Sequence, residues 1–142
     1  MPILEKDITI KAPVDRVFGF VDEPANLPKI WPNLYEIKSV STLPNGGHRF
    51  AWLYNMAGRK VEGKTETLEH VVNERIVDKT MGEIESTLTW KFQGENGQTR
   101  VVFKEEYETP EPLPDEEMRF FVRRNELEVD MLLESLKAKL EF

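Results

Sequence analysis

Apolar residues recur at every second position through most of this chain and at every third or fourth position in two places. Over residues 3–11, Leu4, Ile8 and Ile10 face one way and Glu5, Asp7, Thr9 and Lys11 the other, with Lys6 interrupting the apolar side. That alternation predicts a half-buried strand. Next, "APVDRVFGFVDEP" places Pro13 where a helix tolerates it and spaces Val14, Val17, Phe18 and Val21 as one helix face. "EPANLPKIWP" reads as a second brief helical turn, interrupted by Pro28 and ended by Pro32. From Tyr35 the period becomes two. Turn signals at 44–47, 57–58, 72–74, 81–82 and 94–98 divide this stretch into six strands, at about 35–43, 48–57, 59–71, 75–81, 83–93 and 99–108. Links this short make neighbouring strands antiparallel.

The helical period returns after "TPEPLP" (109–114), a stiff linker. Asp115, Glu116 and Glu117 supply negative charge in the first turn, where the helix dipole favours it. Met118, Phe121, Val122, Val129, Leu132, Leu133, Leu136 and Leu140 form the apolar stripe of a helix reaching about Leu140. Phe120, Leu127 and Met131 broaden it, and Arg123, Glu126, Glu128, Asp130, Glu134, Lys137 and Glu141 point elsewhere. One long helix on one seven-stranded antiparallel sheet is an α+β arrangement, expected as a single domain over residues 1–142.

Charge and composition narrow the partners. The net charge is −7 and no segment gathers enough Lys and Arg to neutralise a row of phosphates, so nucleic acid and anionic membrane surfaces are disfavoured. No apolar run is long enough to span a bilayer, so no integral membrane association is expected. The chain has no cysteine and its first residues lack a signal-peptide pattern, which fits a cytoplasmic protein. His48 and His70, beside turns, are expected at the surface. Two histidines so placed offer neither a Ser-His-Asp order nor a metal-ligand spacing, so no metal or cofactor is expected.

The element order, with the wording "ITIKAPVDRVFGFVDEPANLPKIWP", "VEGKTETLE" and "NGQTRVVFKEEYETP", resembles the helix-grip fold of the START-like, or SRPBCC, superfamily. Within it the chain looks like the polyketide-cyclase-like and lipid-transport-like subgroup. The resemblance covers essentially the whole chain and implies a curved sheet wrapped round the C-terminal helix, with a hydrophobic cavity between them. It implies binding of lipids, sterols, quinones or polyketides, and catalysis in a minority of members.

Alternation then sets the inward residues. On 83–93 these are Ile84, Ser86, Leu88, Trp90 and Phe92; on 99–108 they are Val101, Phe103, Glu105 and Tyr107. In "RFAWLYNMAG" bulk selects Phe50, Trp52, Tyr54 and Met56 over the small opposite face. Such side chains fill a core or face a partner equally well, but Trp52, Tyr54, Trp90 and Tyr107 carry polar tips that want partners when buried, as pocket walls do. From the helix, Phe121, Val122, Asn125 and Val129 face the sheet, while Arg124, near the edge of that face, is expected to reach solvent. Three prolines and two flanking acids make the segment 22–32 a candidate short lid, with Trp31 as its hinge-side plug if that segment opens. The expected ligand-binding set is therefore Trp31, Phe50, Trp52, Tyr54, Met56, Ser86, Leu88, Trp90, Phe103, Glu105, Tyr107, Phe121, Val122, Asn125 and Val129. An inward Glu105 either takes up a proton or finds a cation such as Arg124. With Tyr54 and Tyr107 it is the candidate acid/base group.

The resulting expectation is binding or transport of a small hydrophobic molecule by a monomer or homodimer. The alternatives are an aromatase/cyclase-like enzyme and a protein-interaction module.

Overall fold

The computed structural model describes residues 3–56, 58–82, 85–107 and 114–141, with Met56 described by its backbone alone. The expected inward positions of Ile84 and the Met56 side chain, and most of the proposed linker, lie outside the described residues.

The elements follow the predicted order: β1 (Ile3–Ile10), α1 (Val14–Asp22), a 3-10 helix (Pro24–Lys29), β2 (Leu34–Thr42), β3 (His48–Met56), β4 (Arg59–Val71), β5 (Arg75–Met81), β6 (Ser86–Glu95), β7 (Gln98–Tyr107) and α2 (Asp115–Leu140). Pro28 ends up inside the 3-10 helix, which needs fewer backbone donors than a long α-helix would. The strands form one open sheet in the order β1-β7-β6-β5-β4-β3-β2, every neighbour antiparallel. Asn96 and Gly97, with φ of 52° and 78°, make the two-residue turn between β6 and β7, the conformation whose twist matches a hairpin.

Three register slips bend the sheet's strands. The β2–β3 register slips between Leu34 and Glu36 and again between Lys38 and Ser41. The β4–β5 register slips between Thr67 and Glu69. A bulge bends its strand and reverses the side-chain parity beyond it. On β4, Val61, Gly63, Thr65 and Thr67 therefore turn inward at odd positions, and beyond the slip His70 joins them at an even one.

The core fills only one end of this curve. Val129, Leu132, Leu133, Leu136 and Leu140 of α2 pack with Ile10, Val17, Phe18, Val21, Ile30, Trp90, Phe92, Val101 and Phe103. Lys6, the polar break on the inner side of β1, pairs with Asp130 of α2 at 3.4 Å. Upstream of Val129 the helix leaves this core. Phe120, Leu127 and Met131, expected to widen its buried face, are 70%, 47% and 57% exposed, because a helix lying on one sheet has no second layer to cover its outer side. Among the described residues, no helix is long and apolar enough to cross a membrane.

Candidate functional site

Where α2 leaves the core, a cavity of about 210 Å³ opens between the helix and the sheet. Its sheet wall carries Phe50, Trp52 and Tyr54 from β3 and Ser86, Leu88 and Trp90 from β6. Glu105 and Tyr107 of β7 complete that wall, Trp31 and Leu27 close one side, and Phe121, Arg124, Asn125 and Glu128 of α2 form the roof. The roof residues are spaced i, i+3, i+4, i+7, a single helix face. The same stripe continues through Val129, Leu132 and Leu136, changing from polar to apolar where the helix meets the core.

Glu128 organises the roof. Trp31 Nε1–H donates to its Oε1 at 2.8 Å, and the Tyr54 hydroxyl donates to Oε2. Burial pushes the Glu128 carboxyl above the usual carboxylate range; these two donors and the Arg124 guanidinium pull it part of the way back. Burial and the carboxylate beside it together hold the Tyr54 hydroxyl protonated. Glu105 is held at Oε1 by the Asn125 amide, at 2.8 Å. Its strand neighbours are Phe103 and Tyr107, and the residues paired across from it are Leu88 and Leu4. Burial in this setting pushes the Glu105 carboxyl up to about 7, against the Asn125 bond and with help from the Glu128 charge.

A second polar cluster lies where α1 meets β3, β4 and β5. His70 Nε2 and Asp22 Oδ1 are 2.9 Å apart, and His48 Nδ1 lies 4.0 Å from the same oxygen. Thr67 donates its hydroxyl to Asp78 Oδ1 at 2.8 Å while accepting from the His48 backbone N–H at 3.1 Å. Burial, then the Asp22 charge, push the Asp78 carboxyl up to about 6, against the Thr67 bond and the two histidines. Beside it, Trp52 Nε1–H donates to Thr65 Oγ1 at 3.0 Å, and the Thr65 and Thr80 hydroxyls are 2.6 Å apart. Gly63 makes this possible: a Cβ there would lie 2.1 Å from Trp52 Cζ2, so the indole lies across the strand where a side chain would stand. Among the described residues, the buried polar side-chain atoms all have partners, as a wet-walled pocket needs. No group of three or more carboxylate or imidazole residues converges as a metal site among the described residues.

Of the residues expected from the sequence, Trp31, Phe50, Trp52, Tyr54, Ser86, Leu88, Trp90, Glu105, Tyr107, Phe121 and Asn125 line the cavity. Phe103 and Val129 do not. They are packed into the core, Phe103 edge-on to Trp31 and Trp90 with ring centroids 5.8 and 4.7 Å apart. Val122 is half-buried but about 100° round the helix from Phe121, off the roof stripe.

Other placements correct the sequence expectation. Glu128 faces the cavity rather than away from the sheet, and Arg124 lines it rather than reaching solvent. Spacing from Phe121 and Asn125 is the signal that finds both. His48 and His70 are not surface groups: their side chains are 19% and 8% exposed, covered by α1 and by the parity change on β4. Asp22, Asp78 and Thr65, Thr67 and Thr80 also line the cavity or its edge, and no local pattern marks them.

Residues 1–141 match the family described as polyketide cyclase / dehydrase and lipid transport. No curated protein matches the chain significantly. Among solved structures, a protein of Thermus thermophilus superposes with a TM-score of 0.82 at 24% identity, covering 98% of this chain and 97% of that one. The Zhui aromatase/cyclase of Streptomyces sp. R1128 gives 0.84 at 14% identity, over 98% and 93%. A START superfamily protein of Mycobacterium smegmatis gives 0.81 at 12%, over 97% and 96%. At such identities the likeness is one of fold, and it is the helix-grip fold. With the family match spanning nearly its whole length, the chain belongs to the polyketide cyclase / dehydrase and lipid transport family.

Proposed function

We propose that the chain binds one small, largely apolar molecule between sheet and α2. The observation that carries this is the cavity itself: an aromatic wall interrupted by a few polar groups that are already hydrogen-bonded, the usual make-up of a ligand site. Size limits the occupant. A cavity of about 150 Å³ takes benzene, and drug-sized ligands use about 300–1,000 Å³. At about 210 Å³ the site fits a compact one- or two-ring compound, and a sterol or diacyl lipid would require the roof to move.

All three tryptophans of the chain, Trp31, Trp52 and Trp90, line the cavity, so intrinsic fluorescence reports on its contents. Titration with a bicyclic apolar probe should quench that emission saturably at one molecule per chain. An emission unchanged by every apolar probe tried would sink the proposal. Native mass spectra before and after organic extraction would then identify any retained ligand.

A second function, cyclase-like acid/base catalysis, is favoured by one observation. Glu105 sits in the wall with a carboxyl poised near neutrality, where an acid/base group works best. Glu105→Gln would then abolish turnover of a bound substrate, read as loss of kcat under saturating substrate.

A further inference from the structure

The cavity is lopsided in charge. Among the described residues, its lining carries four carboxyl side chains, Asp22, Asp78, Glu105 and Glu128, against one guanidinium, Arg124, and one imidazole, His48. The compensation is also uneven. Asp22 has His70 at 2.9 Å and His48 at 4.0 Å. Asp78 has the Thr67 hydroxyl and the same two histidines nearby. Glu128 has two side-chain donors and Arg124.

Among the described residues, Glu105 is bonded to a single neutral amide, that of Asn125. The other charged and titratable groups around it are Glu128 and Arg124 on α2, Tyr107 on its own strand and Tyr54 across the cavity. On the neighbouring strand, Lys6 is already engaged by Asp130. None of them is a cation paired with Glu105. Glu105 nevertheless keeps part of its surface open, toward the cavity it lines, although it lies deep in the protein. Around it stand aromatic rings: Tyr107 and Phe121, with centroids 5.5 Å apart, and Trp90 one strand over.

An ionised carboxylate in such a place favours a cation, and the faces of Trp, Tyr and Phe attract one too. We infer that the molecule this cavity is built to hold is a hydrophobic organic cation, a one- or two-ring amine whose ammonium seats on Glu105 among the rings of Tyr107, Phe121 and Trp90. The inference rests on the ligand-binding proposal above and names the chemical class of its ligand. A neutral ligand leaves Glu105 to be satisfied by a proton, and an anionic one brings its charge to a lining that is already mostly acidic. The ammonium satisfies Glu105 directly, and the ring system fills the space beside Trp52 and Leu88.

Three probes of one shape test this by calorimetric titration: 1-naphthylmethylamine, 1-naphthylmethanol and 1-naphthoate. At about pH 8, where Glu105 is mostly ionised, the amine should bind about tenfold more tightly than the alcohol, and the carboxylate most weakly. The amine's advantage should shrink to about twofold or less at about pH 5.5 in the wild-type protein, and likewise at about pH 8 in Glu105→Gln. The wild-type pH series stands whether or not the variant folds. An alcohol that binds as tightly as the amine at about pH 8, or an amine preference that survives both treatments, overturns the inference and leaves the ligand-binding proposal standing. Failure of all three probes to bind overturns both.

Discussion

Tyr54 of β3 donates its hydroxyl to Glu128 of α2, so the roof of the cavity is tied to the far wall by a bond that crosses the empty space. Removing the donor leaves a buried carboxyl with one fewer partner. Tyr54→Phe should cost about 1.5–3 kcal/mol of stability, the range for hydrogen bonds to charged groups. In a double-mutant cycle with Glu128→Gln, followed by urea denaturation, the pair should show a coupling of about 1 kcal/mol or more. Strictly additive losses would mean that the two groups do not act on each other.

Glu105 makes the stability of the protein depend on pH in a specified direction. Its carboxyl is raised from 4.5 to about 7 by burial, so between those values the folded state holds a proton that the unfolded state has released. Stability from this group is full below about pH 4.5 and declines as pH rises to about 7. Glu105→Gln removes the decline. At about pH 8 the variant should be more stable than the wild type by up to about 3 kcal/mol, and at about pH 4 the two should be close. Asp78 adds a smaller decline between 3.8 and about 6 that the variant retains. Equal stability at high pH would place Glu105 in a wetter setting than its neighbours provide.

Two glycines should respond oppositely to the same substitution. Gly63→Ala puts a methyl group 2.1 Å from the Trp52 ring and 2.7 Å from the Met81 carbonyl oxygen, and both cannot yield without moving the indole off Thr65. The change should cost about 1–3 kcal/mol and shift tryptophan emission. Gly19, inside α1, has nothing within 4 Å of the added atom. Gly19→Ala should stabilise by about 0.4–1 kcal/mol, with the emission unchanged. Thermal melts followed by fluorescence read both.

The two halves of α2 should separate in mutagenesis. Leu136, fully buried in the core, should cost about 2–5 kcal/mol when cut to alanine. Phe121, half-buried over the cavity, should cost less than half as much as Leu136 while weakening probe binding more. Equal stability losses would show that the roof is part of the core.

Most of the fold was legible because its cues are local. The two-residue period, the Asn-Gly turn at 96–97 and the prolines flanking the short helices each act over a few residues and agree with one another. The aromatic half of the candidate site was legible too, since β6 alternates cleanly between buried and more open positions and bulk picks out the inward set on β3. The polar half was not. Glu128 and Arg124 look like solvent-facing charges to any rule that equates the inner face with apolar residues, and that rule fails where the inner face looks onto a cavity. His70 was hidden by the slip between Thr67 and Glu69, which depends on pairing with β5 and leaves no mark in β4 itself. Asp22 and Asp78 meet their partners only through tertiary contact.

The helix that spans core and cavity is, mechanically, a beam built into the protein at its C-terminal end. From Val129 onward it is locked among buried side chains. Nearer its start, the bonds across the cavity run from Trp31 and Tyr54 to Glu128 and from Asn125 to Glu105. At about 0.5–1.5 kcal/mol net for a typical bond, or up to about 3 where a carboxylate accepts, loosening them costs less than unfolding a domain stable by about 5–15 kcal/mol. Amide hydrogens early in α2 should therefore exchange by local unwinding of the loosened roof, and those after Val129 only by global unfolding. Opening of the cavity roof and survival of the fold are then governed by different parts of one helix, so that either can be tuned by mutation without the other.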